Sequence, residues 1–166
     1  ISLTAFFRQS RNTKVMTIDN TTNHYMVITW ENLGKTNASG LEFMTNLNLT
    51  DWLNLNISGN VYHVDMAGVL IGDDFYESRF GADSRISSTF SLGKSTKLQA
   101  MAFYQSKTAD GQGIKEADFI AMFGFRQDLW DRKASISINI RDPFNTHYYN
   151  VETRTDEFYS YFKMDG

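Results

Sequence analysis

The feature that most constrains this chain is a sustained two-residue alternation, clearest from Thr36 to Tyr62, TNASGLEFMTNLNLTDWLNLNISGNVY. Leu41, Phe43, Leu47 and Leu49 fall on one side of an extended chain and Glu42, Asn46 and Asn48 on the other, because successive strand side chains point to opposite faces. Thr50-Asp51 interrupts the run as a turn. The alternation then resumes, with Leu53, Leu55, Ile57 and Val61 against Asn54, Asn56, Ser58 and Asn60. Two such runs around a short turn predict a long antiparallel hairpin with one apolar face and one face of amides and hydroxyls. A chain built this way must find a different surrounding for each face.

The rest of the chain follows the same period. Ile1 to Ile18 reads as one long strand with an irregular polar middle, Gln9 to Thr13. Asp19 to Asn23 is a turn cluster, and the next strand, Tyr25 to Leu49, carries Asn32-Leu33-Gly34, where glycine invites a bulge or bend. After Tyr62 the pattern dissolves, and the Gly and Asp content of Val64 to Asp83 predicts a long loop. Alternation returns in Ile86, Ser88, Phe90 and Leu92, and Gly93 to Thr96 is a tight turn. A strand from Lys97 to about Ser106, a polar loop from Lys107 to Gly113 and a strand from Glu116 to Leu129 follow. Trp130 to Lys133 turns the chain into its cleanest strand, Ala134, Ile136, Ile138 and Ile140 against Ser135, Ser137, Asn139 and Arg141.

The fold class expected is therefore all-β, an antiparallel up-and-down meander of about seven long strands. Short turns at 50–52, 93–96 and 130–133 alternate with longer connections at 19–24, 64–83, 107–115 and beyond about 150. In a meander every second connection lies at the same end, so one end is trimmed and the other elaborated. That is the layout of part of a large transmembrane β-barrel with short periplasmic turns and long outer loops. Trp52 and Trp130 sit at short turns, where interfacial aromatic anchors belong. A soluble β-sandwich also alternates, but its strands are usually about 5–6 residues. Thr36 to Leu49 and Trp52 to Val64 exceed the ~9–11 residues that a tilted spanning strand needs.

Composition removes other classes. A formal net charge of −3, with no Lys/Arg cluster, argues against a general nucleic-acid binder. The absence of cysteine excludes disulfides and thiolate sites. The longest largely apolar run, Phe119 to Phe125, falls well short of the ~18 residues of a membrane helix, so any crossing is by strands. No nucleophile elbow, phosphate loop or paired-carboxylate motif is present, so neither enzyme activity nor a cofactor is expected.

Several segments resemble the C-terminal barrel of TonB-dependent outer-membrane receptors, in particular the outer-membrane β-barrel group common in Bacteroidetes-type bacteria. They are Phe6-Phe7-Arg8, Asn32-Leu33-Gly34-Lys35-Thr36 followed by Gly40-Leu41-Glu42, the run Trp52 to Tyr62, and Asp142-Pro143-Phe144-Asn145-Thr146, which is similar to a D-x-F-N-T segment late in such barrels. The resemblance implies a barrel of about 22 strands filled by an N-terminal plug. Residues 1–166 would supply about a third of it, with the plug and the final strand missing. It implies nutrient uptake energised through TonB. The implied partners are outer-membrane lipid, the protein's own plug domain, TonB and a surface lipoprotein, with no nucleic acid. A soluble extracellular β-sandwich acting as a binding or adhesion module, and a passive porin, stand as alternatives.

Candidate residues follow from strand parity. Glu42, Asn54, Asn56, Asn60 and Arg141 are expected to face the lumen, touching a plug or lining a substrate path, although ordinary solvation explains them equally well. Asp73-Asp74 with Glu77 and Asp83 offers carboxylates to a cation such as calcium, but a solvated acidic loop is the simpler account. His24, His63 and His147 are too dispersed for a short metal motif. Tyr148 and Tyr149 suit interfacial anchoring better than ligand stacking.

Overall fold

The computed structural model describes residues 1–19, 27–70, 73–110, 113–154 and 159–165, all in strands, turns or extended connections. The strands are β1 (Ser2–Asp19), β2 (Val27–Thr50), β3 (Leu53–Leu70), β4 (Asp73–Leu92), β5 (Thr96–Gln105), β6 (Thr108–Asp110), β7 (Gly113–Lys115), β8 (Asp118–Leu129), β9 (Ala134–Arg141), β10 (Tyr148–Arg154) and β11 (Tyr159–Asp165). Seven of them form one antiparallel sheet in the order β1-β2-β3-β4-β5-β8-β9, the meander expected from the alternation. A four-stranded sheet, β11-β10-β7-β6, continues it at the end away from the short turns. There the chain passes from β5 to β6 and from β7 to β8 across brief breaks, which Ser106 N–H to Ala82 O (2.8 Å) and Glu116 N–H to Asn150 O (3.0 Å) bridge. The main sheet is open, with β1 and β9 as its edges.

Register decides whether local alternation becomes a two-faced wall, since a slip of one residue would turn a whole strand over. Here parity is kept through the main sheet up to a single shift beside the Thr50-Asp51 turn. One row runs Leu47, Leu55, Ser88, Ala100, Phe123 and Ile140 across six strands, and another runs Thr4, Glu42, Asn60, Asp83, Gln105 and Asp118. The first row belongs to the apolar face, the second to the polar face.

The short turns are where the sequence places them, and their backbone chemistry is local. Gly93 adopts φ 73°. Asp131 (φ 53°) and Arg132 (φ 68°) occupy the two central positions of a turn closed by Lys133 N–H to Trp130 O at 3.1 Å. Positive φ at both positions gives a twist that matches the flanking strands.

The opposite end departs from expectation. Val64 to Asp83 is not a loop: β3 runs on to Leu70 and β4 starts at Asp73, paired without interruption from Leu53↔Phe90 to Leu70↔Asp73. Apolar alternation stops after Val61 because both faces then meet water, while the backbone ladder needs no apolar side chains to continue. The same holds at 107–115, where β6 and β7 form, and beyond 150, where β10 pairs with β11. The elaborated end is built from projecting strands. The turn expected at 19–24 falls almost wholly outside the described residues, and the start of the second strand at Tyr25 does too. Asn32 to Gly34 carries no bulge, since pairing with β1 keeps one register from Lys35↔Arg11 to Val27↔Asp19. The irregularity sits across from it at Asn12, whose φ of 55° is a conformation asparagine tolerates. The register shift of β2 lies instead between Asn48 and Thr50.

One interlock on the polar face fixes the spacing of β2, β3 and β4. Gly40, Tyr62 and Gly81 stand in one row, and the Tyr62 ring lies against Gly81 so closely that a Cβ there would fall 2.5 Å from its Cζ. We expect Gly81→Val to cost about 1–3 kcal/mol through overpacking. Heat-modifiability on gels should show loss of the folded band at lower temperature, and Tyr62→Ala in the same background should recover part of it, because both changes act on one space.

Candidate functional site

The apolar face has no layer packed over it among the described residues. Leu41 is 51% exposed and Ile138 52%, and Leu3, Phe7, Phe43, Val61, Phe80, Ile86, Leu98 and Phe123 are likewise open. An uncovered apolar surface seven strands wide is far beyond what a soluble monomer carries. On β2 the stretch of this face free of amide and charged side chains runs from Ser39 to Leu49, with Asn37 and Lys35 beyond. At ~3.4 Å per residue and ~45° tilt that is about 24 Å, close to the apolar band height of outer-membrane barrels. Trp52 stacks on Phe90 with centroids 6.1 Å apart, and Trp130 is 74% exposed, so both anchor candidates border the band at its short-turn end.

The polar face is a hydrogen-bonded surface. Asn54 Nδ2 donates to Asn46 Oδ1 and Asn48 Oδ1, each at 2.7 Å, and Asn60 Nδ2 donates to Asp83 Oδ1 at 2.9 Å. Asn56 stands between Asn46 and Ser87, Glu42 beside Asn60, and Arg141 across from Met122. All five residues singled out by parity thus share this face, spread over three strands, β2, β3 and β9, rather than gathered at one point. Two concavities lie on it. One, of about 430 Å³, is lined by Phe6, Arg8, Glu42, Asn60, Tyr62 and Asp83. The other, about 680 Å³ near the short turns, has Lys94, Lys97, Arg126 and Arg132 around it, with Arg126 Nε 3.0 Å from Asp128.

Apolar side chains also stand on the polar face. Met101, Phe103, Ile120 and Met122 are neighbours there, with the Arg85 guanidinium 5.8 Å over the Phe103 ring and Ile120 only 5% exposed. Phe6, Arg8, Tyr62 and this cluster were not singled out from the sequence as site residues, and Asp83 only as one of an acidic set, because only pairing shows which residues of different strands are adjacent.

The proposed acidic site does not assemble. Asp73 and Asp83 are ten residues apart on one extended strand, about 33 Å. Glu77 pairs with Arg79, and Asp83 is held by Asn60. Asp73's side chain lies outside the described residues. His63 meets Asp65 (3.5 Å) and Ser78 (3.0 Å), His147 meets Asp118, and His24 lies outside the described residues.

The Asp142 to Thr146 segment folds into a turn built on one carboxylate. Asp142 (φ 47°) accepts the Thr146 amide and hydroxyl at Oδ1 and the His147 amide at Oδ2, all at 2.9 Å. His147 then places Nδ1 2.9 Å from Asp118, a carboxylate 6% exposed. Phe144 returns to the apolar face, edge-on to Phe123 at 6.2 Å. The Tyr148 hydroxyl donates to Asn145 O, and the Tyr149 side chain lies outside the described residues. The Thr146 amide, aided by the His147 amide, the Thr146 hydroxyl and the His147 ring, holds the Asp142 carboxyl below its ordinary pKa despite some lost hydration. A depressed carboxyl pKa stabilises the fold above the ordinary carboxylate range, and that contribution disappears as pH falls through the folded-state value. The stability advantage of the native protein over Asp142→Asn should therefore be present at pH 7 and shrink below about pH 4 in thermal unfolding.

A family model described as an outer membrane protein beta-barrel family matches residues 1–165. No curated protein and no solved structure matches the chain. The open two-faced sheet, with its band of barrel height, has the form of a barrel wall. The chain belongs to the outer membrane protein beta-barrel family, and its place is the outer membrane.

Proposed function

We propose that this chain is a wall segment of a TonB-dependent receptor that takes up a scarce nutrient. In this reading the apolar face meets lipid, and the polar face, with Glu42, Asn54, Asn56, Asn60 and Arg141, lines the lumen. The observation that favours a plugged lumen over a water-filled pore is the cluster of Met101, Phe103, Ile120 and Met122 on the polar face. Such side chains gain little from facing bulk water and suit contact with a second packed body. That body would be the protein's own plug, through which TonB acts, and the projecting strands would meet solute or a surface lipoprotein. The segment acts by binding and gating and carries out no chemical step.

Energised uptake separates this from a porin. Cells dependent on the full-length protein should lose uptake when an uncoupler collapses the proton gradient. Unchanged uptake would leave the porin reading. Facing is tested by a pair of variants. Ile138→Arg places a cation on the lipid side at a cost of about 2–4 kcal/mol. It should reduce folded protein in outer-membrane fractions, whereas Asn139→Arg, on the opposite face, should assemble normally. The reverse pattern would invert the assignment.

A further inference from the structure

On the polar face of β1 to β4, two aromatic rings flank a position with no side chain. Phe6, Gly40, Tyr62 and Gly81 form one row. Tyr62 is seated against Gly81, and its own Cα and Cβ close over Gly40, where a Cβ would fall 2.8 Å from each. Phe6 and Tyr62 instead border a slot, the concavity of about 430 Å³ that also reaches Arg8, Glu42, Asn60 and Asp83.

The charges around the slot are separated by sign. Arg8 lies one pleat beyond Phe6 on one side, opposite Ala38. Glu42, Asn60 and Asp83 form the next row on the other side. Neither Arg8 nor Glu42 forms an ion pair or hydrogen bond among the described residues. Arg8 is four residues along β1 from Thr4, the partner of Glu42, so the two backbones are about 14 Å apart. After their side chains reach inward, the remaining gap is about the length of a dipeptide between its charged ends.

We infer that this slot binds a zwitterionic solute of dipeptide size, its carboxylate on Arg8, its ammonium group on Glu42 and Asp83, and an apolar group between Phe6 and Tyr62. Arg8 offers a planar fork to a carboxylate. The acidic pair and the ring faces favour a cation at the other end. Asn60, already donating to Asp83, keeps its carbonyl for an amide N–H of the solute. The inference rests on the polar face lining the lumen, as proposed above, and requires that the plug leave this slot open to water.

The probe is the dipeptide Ala-Phe, titrated calorimetrically into the full-length protein in detergent, beside its N-acetyl and C-terminal amide forms. The free dipeptide should saturate, and each blocked form should bind at least tenfold more weakly. Arg8→Gln should weaken the free dipeptide but leave the amide form unchanged, and Glu42→Gln should do the same with respect to the N-acetyl form. Absence of saturable binding at millimolar dipeptide, equal binding of all three forms, or indifference to both substitutions would overturn the inference. Water access is read separately. The chain has no cysteine, so Ala38→Cys, on the rim of the same concavity, with any other cysteine of the full-length protein replaced, reports modification by a charged, water-soluble maleimide. Labelling that the dipeptide slows supports the site. Labelling that it does not slow removes the ligand and leaves the lumen. No labelling removes the lumen and the inference with it.

Discussion

Everything in this structure depends on the backbone ladder keeping one parity across the sheet. In hydrocarbon an unpaired N–H or C=O costs several kcal/mol, so a spanning wall must saturate its backbone between strands. That requirement is indifferent to side chains. It becomes a two-faced wall because each pairing, from β1–β2 to β8–β9, sets apolar against apolar and polar against polar. The bulge near Asn48 falls at the turn, where an altered facing has no membrane to offend.

The faces are not mirror images in their physics. The apolar one needs only shape and greasiness, and it accepts Ser84 and Ser88 among its leucines and phenylalanines. The polar one is specific, because amides and carboxylates removed from bulk water must find partners. The Asn54 bridge to Asn46 and Asn48, and Asn60 on Asp83, answer that need strand to strand. Glycines serve it as well. Gly40 and Gly81 give Tyr62 a place to lie, turning a bulky ring into part of the wall. Past the membrane band the same ladder persists in water, which lets the sheet project as paired strands.

Much of this was legible in the sequence. The alternation from Thr36 to Tyr62 gave the facing of each residue, and Thr50-Asp51, Gly93 and the Trp130 to Lys133 run marked the turns, since these signals are local to a few residues. The misreading of 64–83 has a physical cause. Alternation reports a boundary between two media, so a strand bathed on both faces loses the signal while keeping its hydrogen bonds. The acidic set in that stretch looked like one site because a loop could have gathered it, and an extended strand cannot.

The sequence by itself determined that this chain makes long amphipathic strands joined at one end by tight turns, and which residues share a face within each strand. Only the tertiary structure decided which residues of different strands are neighbours. It seats Tyr62 on Gly81, opens the slot between Phe6 and Tyr62, brings His147 to Asp118 across 29 residues, and gathers methionine and phenylalanine on a polar face. Facing follows from the two-residue period of an extended backbone. Adjacency follows from register, a long-range choice that no short stretch of sequence can state.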